Sequence, residues 1–156
     1  MPTRLSSYLS ILIISGLFFP GLSACQEATP DLPTMMVYKT PTCGCCKKWV
    51  EHVQAAGFEV MVHDQADLTE IKLANGVGPE LRSCHTATVG GYVIEGHVPA
   101  DQIIRLITEK PEVKGIAVPG MPVGSPGMEQ GAAKQPYNVV AFDADGNVTL
   151  YKRVDS

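Results

Sequence analysis

The sequence predicts an α/β domain: a mixed sheet with flanking helices, extended by a long Gly/Pro loop and a C-terminal β-hairpin. Three observations predict it. Short apolar runs bounded by turn residues alternate with segments of helical period from residue 35 to 111; Gly90-Gly91 separates two strand-like runs; and Asp145-Gly146 separates two more near the C-terminus. With 45% hydrophobic and 18% charged residues among 156, the chain is long and apolar enough to bury one core.

The N-terminal segment stands apart from that domain. Arg4 followed by the apolar run 8-YLSILIISGLFF-19 has the form of a secretory signal, the run being too brief for a stable membrane anchor. The next residues, 22-LSAC-25, resemble the lipobox of bacterial lipoproteins, in which the cysteine is acylated and becomes the mature N-terminus. The expected organisation is a lipoprotein-type signal peptide over 1–24, a lipidated Cys25 with a Pro-bearing tether through 34, and a folded domain over 35–156. No acidic residue directly follows Cys25, which favours the outer membrane over the inner. The expected location is the periplasm, an oxidising compartment where free thiols need a reason to exist. A formal net charge of −4 offers nothing built for nucleic acid.

Within the domain, 35-MMVY-38 is a short apolar strand, and after the turn 40-TPT-42 the residues Trp49, Val50, Val53 and Ala56 recur at helical spacing until Gly57. The run 58-FEVMVH-63 reads as a second strand, and core packing is the expected role of Met35, Met36 and Met61. A capping-box pattern, 67-DLTE-70, opens a helix through Ala74 that Asn75-Gly76 closes. Past the irregular 77-VGPELRSC-84, the runs 85-HTATV-89 and 92-YVIE-95 flank a two-residue Gly-Gly turn suited to a hairpin. A third helix runs from about Pro99, with Ile103, Ile104, Leu106 and Ile107 on its apolar face, to Lys110-Pro111. The order βαβαββα is that of a thioredoxin-like domain, a central sheet with helices on both faces. Beyond it, 114–136 is a Gly/Pro-rich stretch without periodicity, a loop long enough to be functional or disordered. Finally 137-YNVVAFD-143 and 147-NVTLYKRV-154 form a hairpin, and the acidic residues between them are turn chemistry rather than a calcium loop.

Chemistry concentrates in 39-KTPTCGCCKKW-49. Cys43 and Cys46 have the C-x-x-C spacing that places two thiols at a helix N-terminus, where the dipole, with Lys47 and Lys48, lowers thiol pKa values. Cys45 works against a pure redox role, because a third thiol inside the motif competes for every mixed disulfide. Three thiolates in one tight turn suit a soft metal, Cu(I) above all, with zinc also admissible on ligand type. Cys84 precedes the third strand, a position that faces the cysteine loop in a thioredoxin-like topology and commonly carries a cis-proline; 83-SCHT-86 offers a thiol and an imidazole instead. Coordination and plain burial both remain open for Cys84 and His85. His97 either approaches the site from the side or caps the following helix, the latter being the plainer reading; His52 lies too far along the first helix to share an ion with Cys45, and His63 ends a strand. Met121 and Met128 punctuate the Gly/Pro loop; they read either as soft ligands folding over a site or as plugs in an apolar groove.

These motifs together resemble the CopG-type periplasmic copper-resistance proteins, long catalogued as a domain of unknown function. The resemblance rests on 38-YKTPTCGCCKKW-49, 83-SCHTATVGGYVIEGHVPA-100 and 115-GIAVPGMPVGSPGME-129, three separated motifs in one order. It implies a thioredoxin-like fold whose C-x-C-C loop, with further Cys, His or Met ligands, holds a multinuclear copper cluster, and a role in interconverting Cu(I) and Cu(II) during detoxification. By motif position it carries a metal role to Cys43, Cys45, Cys46 and Cys84, and to His85, Met121 and Met128. The lipobox at Cys25 stands on this sequence alone.

The expectation is thus a periplasmic, lipid-anchored copper-binding protein of copper resistance, partnered by copper ions, the membrane and other periplasmic copper-handling proteins. Catalytic turnover as a copper oxidoreductase is left open. Two alternatives stand beside it: a thiol-disulfide oxidoreductase using Cys43 and Cys46, and a chaperone delivering copper to a cuproenzyme.

Overall fold

A computed structural model describes residues 32–155; the expected signal peptide, Cys25 and most of the expected tether lie outside the described residues. The elements follow in the order β1 (Met35–Lys39), α1 (Gly44–Ala55), β2 (Val60–Asp64), α2 (Thr69–Ala74), a 3₁₀ turn (Pro79–Leu81), β3 (His85–Val89), β4 (Tyr92–Glu95), α3 (Ala100–Glu109), β5 (Gly115–Ala117), β6 (Tyr137–Phe142) and β7 (Val148–Val154). The strands make one mixed sheet in the order β2-β1-β3-β4-β5-β6-β7, with β1/β2 and β4/β5 parallel and the other pairs antiparallel. This is the thioredoxin-like arrangement that the order of elements predicts, widened by the C-terminal hairpin. No helix among the described residues is long and apolar enough to cross a membrane.

Side-chain alternation divides the core between the two faces of the sheet. On one, Trp49, Val50 and Val53 of α1 and Ile103 and Leu106 of α3 pack on Met35, Val37, Ala87, Val89, Ile94 and Ile116. On the other, Val77 and Leu81 cover Val93, Ala117 and Phe142. Leu32, at the end of the predicted tether, packs against the first of these clusters.

Four local expectations need correction. The stretch 114–136 is not all loop: Gly115–Ala117 is a buried strand parallel to β4, and a Cβ at Gly115 would stand 2.1 Å from the Val93 carbonyl oxygen. A three-residue strand buried on both faces shows no alternation, so its period is invisible. The second strand starts two residues later than predicted, because Gly57 (φ +99°) turns the chain and Phe58 tucks into the core with its N–H on the Val53 carbonyl. Met61 is 51% exposed rather than core, since β2 is the edge strand and this side chain points away from α1. At α2 the N-cap is Leu68, without a side-chain cap, rather than the Asp67 of the capping-box pattern; Asp67 Oδ1 instead accepts from the backbone N–H (2.8 Å) and hydroxyl (2.7 Å) of Thr69, the first helical residue. Elsewhere the turns are as expected: Gly90 and Gly91 both adopt positive φ, and Asp143 accepts from the N–H of Asp145 and Asn147.

Register then decides what meets what. Because β1 and β3 are antiparallel with Lys39 opposite His85, the loop leaving β1 emerges beside the residue that enters β3. Because β3 and β4 are antiparallel with Thr86 opposite Glu95, the chain leaving β4 arrives at the same end, and Gly96 donates to the His85 carbonyl at 3.0 Å. Three chain segments therefore converge at one end of the sheet, carrying Cys43–Cys46, Cys84–His85 and His97.

Candidate metal centre

Cys43 is the N-cap of α1 and its Sγ accepts from the Cys46 N–H at 3.3 Å, so the cysteine loop opens the helix as the spacing predicts. Cys43 and Cys46 are joined as a disulfide with Cα atoms 5.3 Å apart, the separation that one helical turn supplies and a disulfide needs. Cys45 and Cys84 are free. Cys45 Sγ stands 3.4 Å from Cys43 Sγ and 3.9 Å from Cys84 Sγ, so the inner thiol bridges the outer pair and the third strand. All four sulfur atoms lie within 4.8 Å of one another.

A second group shares Cys84. Its Sγ is 2.9 Å from His97 Nε2 and 3.4 Å from His85 Nδ1, and the two imidazoles meet edge to face at 5.0 Å. His97 Nδ1 lies 2.8 Å from the Pro126 carbonyl oxygen. A carbonyl can only accept, so Nδ1 carries the hydrogen and Nε2 presents a lone pair to Cys84. His85 is wholly buried against Trp49, ring centroids 4.3 Å apart, and its Nε2 has no hydrogen-bond partner among the described residues. Of the two readings its sequence position allows, His97 takes approach to the site rather than a cap of α3: it is aimed into the cysteine cluster. It lies two residues beyond the end of β4, and the pairing of β4 with β3 brings it in. His52 is separate, its Nε2 accepting from the Ala100 N–H at 3.0 Å. His63 stacks on Tyr38 at the sheet edge.

Burial sets the electrostatics. The Cys84 thiol is pushed up to about 12, first by burial and then by neighbouring Cys45. Burial holds both His97 and His85 below the ordinary imidazole range, His85 the more strongly, with His97 and Lys72 adding to its shift. Protonated thiol and neutral imidazoles are the forms this pocket favours, and a cation is what would turn the thiol into a thiolate.

Beneath Cys84 lies a buried polar network that motif reading does not reveal. Lys72 of α2 forms an ion pair with Glu95, the two side chains being 8% and 0% exposed. Lys72 Nζ also donates to Thr86 Oγ1 at 3.0 Å, which in turn donates to Glu95 Oε2 at 2.7 Å, and the Ser83 N–H donates to Glu95 Oε1 at 2.6 Å. Residues 83 and 86, on either side of Cys84 and His85, are thus both fastened to one carboxylate, where the fold family would otherwise place a proline. All peptide bonds among the described residues are trans.

The Gly/Pro loop crosses over this centre. Gly127 (φ +83°) passes so close to α1 that a Cβ there would stand 2.7 Å from the Cys45 carbonyl oxygen and 2.9 Å from the Trp49 nitrogen. Met128, Cys45, Lys48 and Glu129 line one cavity of about 380 Å³. Met121 is 53% exposed, next to Gly120, which receives the Ser83 hydroxyl and donates to the Arg82 carbonyl. Four sulfurs and two imidazoles from three segments fit a soft or borderline metal ion: thiolates select Cu(I), and imidazoles also take Cu(II).

A family model described as "Protein of unknown function, DUF411" matches residues 81–128, the stretch that carries Cys84, His85, His97, Met121 and Met128. No curated protein matches the chain. Two solved structures are similar throughout the domain: "Copper resistance protein copG", Form 1, at 42% identity, covering 80% of this chain and 99% of that one, and Form 2, at 41% identity, covering 79% and 98%, each with a TM-score of 0.75.

Proposed function

Since the chain belongs to the CopG family of copper resistance proteins, we propose that it is a copper-binding protein of copper resistance and homeostasis. The observation that carries this reading is the convergence of Cys43, Cys45, Cys46 and Cys84 Sγ within 4.8 Å, with His85 Nδ1 3.4 Å and His97 Nε2 2.9 Å from Cys84 Sγ. Copper is the cargo. With the Cys43–Cys46 disulfide open, four thiolates can bridge several Cu(I) ions; Met128 borders the site, and Met121 is the outermost of the proposed ligands. The imidazoles give Cu(II) a foothold beside the sulfurs, which supports interconversion of the two states. The periplasmic setting, the signal peptide over 1–24 and the lipid anchor at Cys25, on the outer membrane, belong to the same proposal.

Anaerobic Cu(I) titration of the reduced chain tests it. Tight binding of more than one ion per chain is expected, and Cys45→Ser should lower that stoichiometry without changing the circular dichroism spectrum. Weak, sub-stoichiometric binding would overturn the copper reading. Mass spectrometry of membrane fractions should find acylated Cys25; a soluble, unmodified product refutes the anchor.

A second reading, thiol-disulfide exchange by Cys43 and Cys46, is favoured by the disulfide itself. Efficient reduction of insulin or glutathione disulfide by a chain that binds copper poorly would select it.

A further inference from the structure

The four clustered cysteines are not equivalent. Cys43 and Cys46 are closed on each other, while Cys45 and Cys84 stay free although their sulfurs are only 3.9 Å apart. The free pair keeps the imidazoles, since both His97 Nε2 and His85 Nδ1 approach Cys84 rather than the disulfide. The two pairs come nearest at Cys45 Sγ to Cys43 Sγ, 3.4 Å, and Cys46 Sγ also lies 3.8 Å from the Cys84 carbonyl oxygen. One pair is therefore built to change redox state, and the other to go on holding an ion while it does.

From this division of labour we infer that the Cys43/Cys46 dithiol is the electron source for reducing Cu(II), and that Cys45, Cys84 and His97 retain the Cu(I) produced. This rests on the copper reading above and adds to it the direction of electron flow and the residues that supply the electrons. The step balances within the site. Cys43 and Cys46 each lose the S–H proton to solvent, and together they give two electrons as the S–S bond forms. Two Cu(II) ions take one electron each and become two Cu(I). The closed disulfide is the spent form, and a dithiol donor must reopen it before another round.

Each part of the site suits its share of this step. Imidazole and thiol at Cys84, His85 and His97 can accept Cu(II), whereas the product Cu(I) prefers the thiolates of Cys45 and Cys84. An ion held by Cys45 would lie beside the sulfur that is oxidised, since Cys45 Sγ is 3.4 Å from Cys43 Sγ, so no relay through other groups would be needed. Lone-pair orientation helps as well: the Pro126 carbonyl fixes the hydrogen of His97 on Nδ1, leaving Nε2 for the ion in either state.

The test uses the full chain under anaerobic conditions, prepared with the Cys43–Cys46 pair either reduced or already closed. Each form receives about two equivalents of Cu(II) sulfate, and Cu(I) is read with a colorimetric chelator alongside free-thiol counts and peptide mapping under non-reducing conditions. The reduced chain should yield about two Cu(I), lose about two thiols, and map a Cys43–Cys46 bridge. The closed chain, with Cys45 and Cys84 still free, should yield less than about a tenth as much Cu(I) in the same time. Equal Cu(I) from the closed chain, or a mapped Cys45–Cys84 bridge, overturns the inference. The separate Cu(I) titration distinguishes the two failures: a chain that binds Cu(I) tightly but fails here keeps its copper function and loses only this mechanism.

Discussion

Replacing Lys72 by methionine should unfold the support beneath Cys84. The substitution removes the cation paired with a carboxylate that is 0% exposed, leaving Glu95, among the described residues, with the Ser83 N–H at 2.6 Å and the Thr86 hydroxyl at 2.7 Å but no balancing charge. Removing one partner of a buried ion pair costs about 3–5 kcal/mol, since the survivor can neither reach water nor keep its charge cheaply. At roughly 3–5 °C per kcal/mol for a domain of this size, the melting temperature should fall by about 10–25 °C. The double variant Lys72→Met/Glu95→Gln should recover about 2 kcal/mol, because the carboxamide removes the stranded charge and keeps an oxygen for the Ser83 N–H. Urea unfolding followed by Trp49 fluorescence, with the disulfide closed and metal chelated, measures both. A single variant within about 1 kcal/mol of the parent would refute the buried-pair argument, as would a double variant no more stable than the single.

Three further perturbations probe the surroundings of the site. Gly127→Ala puts a Cβ 2.7 Å from the Cys45 carbonyl oxygen at φ +83°, so it should cost about 1–2 kcal/mol or more and lift the strap, seen as faster alkylation of Cys45 and faster proteolysis within 120–130. Trp49→Phe removes the indole N–H that donates to the Val98 carbonyl at 2.8 Å and leaves a void beneath His85; a loss of about 2–3 kcal/mol by urea unfolding is expected. His52 is held below the ordinary imidazole range, first by burial, and its Nε2 accepts from the Ala100 N–H only when neutral. Its contribution is present above the unfolded value of about 6.5 and is lost as pH falls through the lower folded value, because the unfolded chain then binds more protons. His52→Gln should therefore flatten part of the stability loss below about pH 6.5, and an unchanged pH profile would show that His52 does not contribute.

The elements that were legible in the sequence carry their own local signatures. Gly90-Gly91 and Asp145-Gly146 prescribe their hairpins because each turn needs positive φ, and α1 is marked by both its apolar spacing and its stop at Gly57. What escaped was specified by neighbours. Gly115–Ala117 is a strand only because β4 and β6 flank it, and nothing in G-I-A announces a partner. Lys72 lies in a six-residue helix where a lysine is ordinarily solvated, and its burial is decided by Glu95, on a strand 23 residues away. Met61 failed in the opposite sense: strand period was visible, but position at the sheet edge was not.

The site divides along the same line, and the division explains the third cysteine. Contiguity made the C-x-C-C loop obvious, and topology made Cys84 an expected neighbour, because any sheet with β1 antiparallel to β3 brings those two ends together. His97 required one more pairing, β3 with β4, and a ring orientation set by a loop carbonyl 29 residues away. Taken alone, Cys45 appears to spoil a redox pair, since it offers the wrong partner to every intermediate. In the folded chain it sits between the disulfide and Cys84, in van der Waals reach of both. A helix turn makes Cys43 and Cys46 each other's natural partners, whereas Cys45, on a different side of that turn, meets the strand that delivers the imidazoles. Redox spacing and metal-ligand density are therefore compatible in one motif: the period of the helix pairs Cys43 with Cys46 and turns Cys45 toward Cys84, and the 3.4 Å gap between Cys43 and Cys45 keeps all four sulfurs in one cluster.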